Sequence, residues 1–297
     1  MNQRKAWLLL ILCNLFWAGN YVFGQFVVGE ITPLVLTFLR WLFATALLMV
    51  IAHHMEKPDW RTVAKSWPIL AAMGLTGIIA YNLVLYTALT YTSSTNAAVV
   101  AALNPALLVV VSSLMLREKL SVIQNIGIGV SFSGVLVIIT GGKLASIFHM
   151  QYNQGDLLML AAITVWTIYS ILGKRLTQVP PITATAASAL IATLLLAPFA
   201  FIQGVSLSEI SPMALVGILY IILFPSVGSF IFWNVAVREI GAGKAGIFLN
   251  LIPVFTAMIS LVMGESVTII QLTGGLLVFA GVYMTTGLLE RKWQKPT

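Results

Sequence analysis

Along the chain, apolar stretches about twenty residues long alternate with short polar breaks. Ten such stretches run over 6–28, 34–52, 67–89, 97–116, 122–141, 156–174, 182–202, 213–236, 245–263 and 268–289. A helix rises 1.5 Å per residue, so roughly 20 apolar residues cross a hydrocarbon core about 30 Å thick. Inside lipid every backbone N–H and C=O must find a partner within the protein, and a helix supplies that locally. The pattern therefore predicts an all-α integral membrane protein with ten transmembrane helices. The longest polar stretches, 53–66 and 142–155, are too short to hold a soluble domain.

Composition agrees with this and excludes the alternatives. Hydrophobic residues make up 59% of the 297 positions and charged residues 8%, where a soluble domain carries about 25% charged. The formal net charge of +7 raises the question of nucleic acid. The basic residues, however, sit between apolar runs and form no basic face or arm, so no nucleic-acid partner is expected. Their distribution instead sets orientation. With the N-terminus inside, the inner segments hold fourteen of the sixteen Lys and Arg, the outer loops hold Lys143 alone, and Arg40 lies within a span. This places both termini in the cytoplasm and the chain in the plasma or inner membrane, with an even helix count. The one cysteine, Cys13, allows no intrachain disulfide and reads as a small buried hydrophobe. Arg4 and Lys5 precede an apolar stretch too long for a cleavable signal peptide.

The chain also repeats itself. Glu118, Ile123, Gln124, Gly127, Gly134 and Val135 recur as Glu265, Ile270, Gln271, Gly274, Gly281 and Val282, all 147 residues later. Pro33 and Pro105 recur as Pro181 and Pro253 at 148, and Trp17 and Gly24 as Trp166 and Gly173 at 149. The spacing divides the chain into two five-helix units, 1–142 and 153–292. Five is odd, so the second unit enters the membrane from the opposite side, and the two are expected to be inverted repeats. Inverted repeats around a central site are a transporter architecture.

The tryptophans Trp17 and Trp166, Pro33 with Arg40, the run Tyr86-Thr-Ala-Leu-Thr-Tyr-Thr92, Asn104-Pro105, and Glu118 before a glycine-rich fifth helix together resemble the drug/metabolite transporter superfamily, specifically proteins with two EamA domains. The resemblance covers nearly the whole chain. It implies a ten-helix carrier, often an exporter of amino acids or other metabolites. The two halves differ at Arg40, which corresponds to Ser188, and at Asn104, which corresponds to Ile252, so a site built there is asymmetric.

Helix breakers at matched positions point to the binding region of a transporter. Pro105 and Pro253 each lie about nine residues into their stretch, roughly 13 Å deep, and are expected to kink a helix, freeing the carbonyls of Ala101 and Leu249. Gly77 and Pro225 form a second matched pair, and all four are candidate hinges. Amide and aromatic side chains form the candidate substrate site: Asn14, Trp17 and Tyr21 on one helix face, Asn82 and Tyr86, Asn104, Trp166 and Tyr169, Asn234 and Asn250. Amides facing lipid are costly, so these either line a wet cavity or join helices to one another. Arg40 joins the list either as a contact for an anionic group or as a residue snorkelling to the outer interface.

The acids lie at helix ends or in loops. Glu118 and Glu265 are expected to accept from the N-terminus of the following helix or to hold a gate. No acid or histidine sits at mid-depth, which implies facilitated export or exchange over tight proton coupling. No catalytic constellation, metal-ligand spacing or cofactor motif is present, and the Gly241-to-Lys244 run lacks the spacing of a phosphate loop. The expected partners are a small-molecule substrate and the lipid bilayer; the pattern sets no oligomeric state. The reading is a secondary transporter that moves a small amphipathic metabolite, such as an amino acid, by alternating access and in the direction of export. Its rivals are a membrane enzyme or scaffold, a channel, and a multidrug or other-metabolite carrier of the same fold.

Overall fold

A computed structural model describes residues 3–116, 121–142, 153–204, 210–240 and 247–285. Glu118 and the Gly241-to-Lys244 run fall outside these residues. The protein is a multi-pass bundle of membrane-spanning helices, all-helical among the described residues. We label its helices α1 (Gln3–Val27), α2 (Pro33–Glu56), α3 (Trp67–Leu89), α4 (Ser94–Ala101 and Asn104–Leu116), α5 (Val122–Ile139), α6 (Gln154–Arg175), α7 (Pro181–Gln203), α8 (Pro212–Ile221 continuing to Ile240), α9 (Ile247–Asn250 and Leu251–Val262) and α10 (Ile269–Thr285); among the described residues α1 to α3 and α6 to α8 are long and apolar enough to cross a membrane. The polar stretch after α2 carries a further short helix, Trp60–Lys65, capped by Asp59.

Caps fix the helix starts. Ser121 and Gln124 form a reciprocal capping box at α5, and Thr268 and Gln271 do the same at α10. That corrects the expectation that Glu265 caps α10: the box takes the N–H groups of Thr268 and Gln271, and Glu265 accepts from Ser94. Thr32, Asn153 and Ser211 cap α2, α6 and α8. Outward faces carry large apolar side chains, among them Leu194, Phe199 and Ile202 of α7. Such a surface is stable only against lipid.

Packing follows a regular scheme. α2 lies against α7, and α5 against α10. α1 packs on α8 and α9, while α6 packs on α3 and α4. Exchanging each helix for its repeat partner maps this scheme onto itself. The α5–α10 crossing shows the same exchange in atomic detail. A Cβ on Gly134 would meet the Gly274 carbonyl at 2.6 Å, and one on Gly281 would collide with the Gly127 carbonyl and with Ser131. Only glycine lets these two backbones approach so closely.

Candidate functional site

Both repeats interrupt the same helices at the same places. In α3, residues Gly74–Ala80 form a π-helical segment. In α8, Ile222–Gly228 form another, displaced by 148 positions at each end. Gly77 and Pro225 are the fourth residue of their seven-residue segments. Gly77 also admits the Tyr169 ring of α6, which would collide with any Cβ there. α4 breaks at Ala102 and Leu103, so that Pro105 is the second residue of a new helical piece. In α9 a 3₁₀ turn, Ile247–Asn250, precedes the helix Leu251–Val262, of which Pro253 is the third residue. Pro105 and Pro253 thus each stand just past an irregular turn of their helix, where a proline's ring and missing N–H disturb the ladder up to four residues back.

A π segment releases backbone carbonyls from the regular ladder, and side chains capture them. Asn82 Nδ2 donates to the Ile78 carbonyl at 2.8 Å and the Gly77 carbonyl at 3.3 Å. Ser226 Oγ donates to the Ile221 carbonyl at 2.7 Å. Trp17 Nε1 of α1 donates to the Pro225 carbonyl at 3.2 Å.

Arg40 joins the two segments. It does not snorkel; it is 4% exposed. Its Nε donates to Ser226 Oγ at 2.7 Å. Its Nη1 donates to Asn82 Oδ1 at 2.8 Å, Tyr86 Oη at 2.7 Å and Asn20 Oδ1 at 3.1 Å. Tyr86 Oη donates in turn to Asn20 Oδ1 at 2.9 Å. One guanidinium on α2 thus ties together α1, α3 and α8, through the side chains that hold the π carbonyls. The Trp41 ring lies 5.2 Å and the Tyr86 ring 5.9 Å from its central carbon, close enough for cation–π attraction.

The aromatic candidates form two groups, each crossing between the halves. Trp17 packs on Phe230 and Trp233 of α8, with centroids at 6.2 and 5.6 Å. Trp166 packs on Tyr81 of α3 at 4.8 Å and on Tyr169 at 5.0 Å. Tyr21 is buried in the main core.

Other candidates stand apart from the Arg40 network. Asn14 bonds only to the Leu10 carbonyl of its own helix. Asn104, at the α4 break, accepts from Thr167 Oγ1 of α6 at 3.1 Å. Asn234 is half-buried, and Asn250 is buried with its Oδ1 unpartnered. Sequence reasoning missed Asn20 and Ser226. Their positions carried a signal: Asn20 sits one turn beyond Trp17, 149 positions before Tyr169, and Ser226 follows the hinge residue Pro225.

A second polar network binds the end of the bundle where α1 finishes. Asp156, fully buried in the first turn of α6, accepts from Thr92 at 2.5 Å and Asn96 at 3.4 Å. Gln271 of α10 donates to Asn96 at 2.8 Å. Ser94 N–H donates to Gln25 of α1 at 2.6 Å, and Ser94 Oγ shares a hydrogen bond with Ser260 of α9 at 2.9 Å and reaches Glu265 at 3.5 Å.

Two stretches of the chain, residues 4–140 and 153–287, match the model of the EamA-like transporter family. The chain belongs to that family. An uncharacterized transporter of Bacillus subtilis (strain 168), YyaM, is 30% identical over 297 residues, spanning 98% of this chain and 96% of its own. A second relative, from Streptantibioticus cattleyicolor, bears the name "Probable terminal-alkyne amino-acid exporter"; it is 26% identical and spans 96% of this chain and 94% of its own. A solved crystal structure superposes with a TM-score of 0.70 at 20% identity, covering 98% of this chain and all of that one, which shows the shared fold. This EamA-like transporter carries its helix interruptions in matched pairs, and a buried cation joins the pair in α3 and α8.

Proposed function

We propose that this chain is a secondary carrier that works by alternating access and exports a small amphipathic metabolite, an amino acid or a close relative. On this reading the two units, 1–142 and 153–292, are inverted repeats, both termini are cytoplasmic, and the plasma or inner membrane is the site of action. The observation that carries the proposal is the pairing of π segments in α3 and α8 with breaks in α4 and α9. Segments that depart from regular helix at equivalent places in two repeats are natural bending points. Exchange of partners in the packing scheme supports a two-fold relation between the halves, so that bending one set opens one side and bending the other set opens the opposite side.

We infer the substrate class from the side chains around Arg40 and the matched helix interruptions. Asn82, Tyr86, Trp17 and Trp166 are neutral, and the aromatic members present flat apolar faces. A multiply charged solute needs clustered cations, and Arg40 is single. The name carried by the Streptantibioticus relative supports an amino-acid-like solute. Among the described residues no carboxylate bonds to Arg40, which favours facilitated transport or exchange. The test is counterflow in proteoliposomes. Saturable uptake of labelled apolar amino acids, accelerated by unlabelled solute on the opposite side, is expected. Flux that rises linearly with concentration and ignores the opposite side rejects the carrier.

A further inference from the structure

Arg40 is bonded on three of its five N–H positions and open on the rest. Nε and Nη1 serve Ser226, Asn20, Asn82 and Tyr86. Nη2, with two N–H groups, has no hydrogen-bond partner among the described residues, and none of the four groups that hold the guanidinium is an anion. A cation withdrawn from water without a counter-charge is expensive, and four neutral acceptors offset that only in part. The described acids nearest in function are committed elsewhere. Glu30 holds Ser211, Asp59 caps the short Trp60–Lys65 helix, and Asp156 holds Thr92 and Asn96. What the four partners do achieve is orientation. With Nε fixed from α8 and Nη1 fixed from α1 and α3, the plane of the fork cannot rotate, and the Nη2 edge keeps one direction.

We infer that this edge is the anchor for a single carboxylate of the transported solute, and that the site reads the carboxylate and an apolar body but leaves an amino group unread. The inference rests on the carrier reading above and sharpens its substrate class. A carboxylate oxygen accepts a charge-assisted bond from Nη2, and the group supplies the missing negative charge. The apolar body meets aromatic surface close by. Trp17 is bonded to the residue before Ser226, and Tyr81 precedes Asn82 in the chain. An α-ammonium finds no carboxylate in this network. A monocarboxylate therefore matches the charge of the site, and a zwitterionic amino acid is accepted through its carboxylate end. Only one half carries this anchor, because the position equivalent to Arg40 is Ser188. Ser188 bonds to carbonyls of its own helix at Ala184 and Thr185.

The test uses the purified transporter and solutes that share one benzyl body: 3-phenylpropionate, its amide, phenylalanine, N-acetylphenylalanine and phenethylamine. Binding is read in detergent by tryptophan fluorescence, separately from counterflow in proteoliposomes. The acids are expected to bind about tenfold or more tightly than the amide and the amine, the factor set by a charge-assisted pair. Among the three acids, affinities are expected to agree within about threefold, less than one lost hydrogen bond would give. Arg40→Gln is expected to bring acid and amide to parity, while Arg40→Lys retains a preference for the acid. The wild-type series stands alone if Arg40→Gln does not fold. Equal binding of amine and acid, a phenylalanine affinity more than tenfold above that of 3-phenylpropionate, or binding of none of the five overturns the inference. Acid-selective binding without counterflow leaves the anchor standing and rejects the carrier reading alone.

Discussion

Ser226 offers the cleanest test of whether Arg40 couples the two π segments. Replacing it by Ala removes one oxygen and little volume, at a fully buried position. Two hydrogen bonds are lost: Arg40 Nε to Ser226 Oγ and Ser226 Oγ to the Ile221 carbonyl, both 2.7 Å. The first is charge-assisted, worth about 1.5–3 kcal/mol. The second is a neutral bond inside a membrane protein, worth about 0.6 kcal/mol. Ser226→Ala should therefore destabilise the fold by about 2–3.5 kcal/mol. A double-mutant cycle with Arg40→Met isolates the pair, because Ser226→Ala in that background can lose only the neutral bond. The expected coupling is about 1.5–3 kcal/mol, read from denaturant-induced unfolding in mixed micelles. Additivity within about 0.5 kcal/mol would show that the guanidinium and the α8 segment are energetically independent, and the argument for a shared hinge and site would fall.

Three further outcomes are expected. Gly281→Val and Gly134→Val should each cost about 1–3 kcal/mol or more by overpacking the α5–α10 crossing, and unchanged thermal stability in both would contradict the close approach. Pro105→Ala and Pro253→Ala should slow counterflow while stability changes by less than about 1 kcal/mol; wild-type kinetics in both would remove their hinge role. Glu30 accepts from the hydroxyl and then the N–H of Ser211, and these bonds hold its carboxyl below the ordinary value of 4.5. A depressed folded-state value means that the contribution is present above 4.5 and lost as pH falls through that lower value. Ser211→Ala should flatten the acid limb of the stability profile, and an identical profile in the variant would show that the contact contributes nothing.

Topology has its own check. In a Cys13→Ala background, His149→Cys should label from outside, and Lys57→Cys and Lys292→Cys should not. Labelling at 57 with none at 149 would reverse the orientation.

The spans were legible because lipid imposes a single requirement, about twenty apolar residues per crossing, and α3 runs from the residue the apolar pattern names, Trp67, to Leu89. The hinges were half legible. Gly77 and Pro225 stood out as breakers, but a glycine in a helix does not announce five-residue hydrogen bonding. Pro105 and Pro253 stood out as interior breakers, and the irregular turns lie just before them, at Ala102 and Leu103 and at Ile247–Asn250. Arg40 was visible as a cation within a span, yet whether it snorkels or turns inward depends on what faces it. Its acceptors lie 20, 42, 46 and 186 positions away. Asn20 and Ser226 are single polar residues in apolar runs, a pattern that ordinary helix–helix contacts also produce, and only the third dimension brings them to one nitrogen fork.

On the proposed alternating-access reading, the unmatched position Arg40/Ser188 bears on how the empty carrier behaves. Two halves with the same sequence would give outward- and inward-facing empty states of equal free energy, hence equal half-saturation concentrations on both sides. A lone cation removes that degeneracy. Whichever state hydrates the guanidinium better is the one the empty protein occupies, and half-saturation on that side falls while it rises on the other. Detailed balance ties the two changes together, so that the bias cannot drive a net flux by itself. It can, however, leave the empty carrier waiting on one face of the membrane, where the next solute arrives.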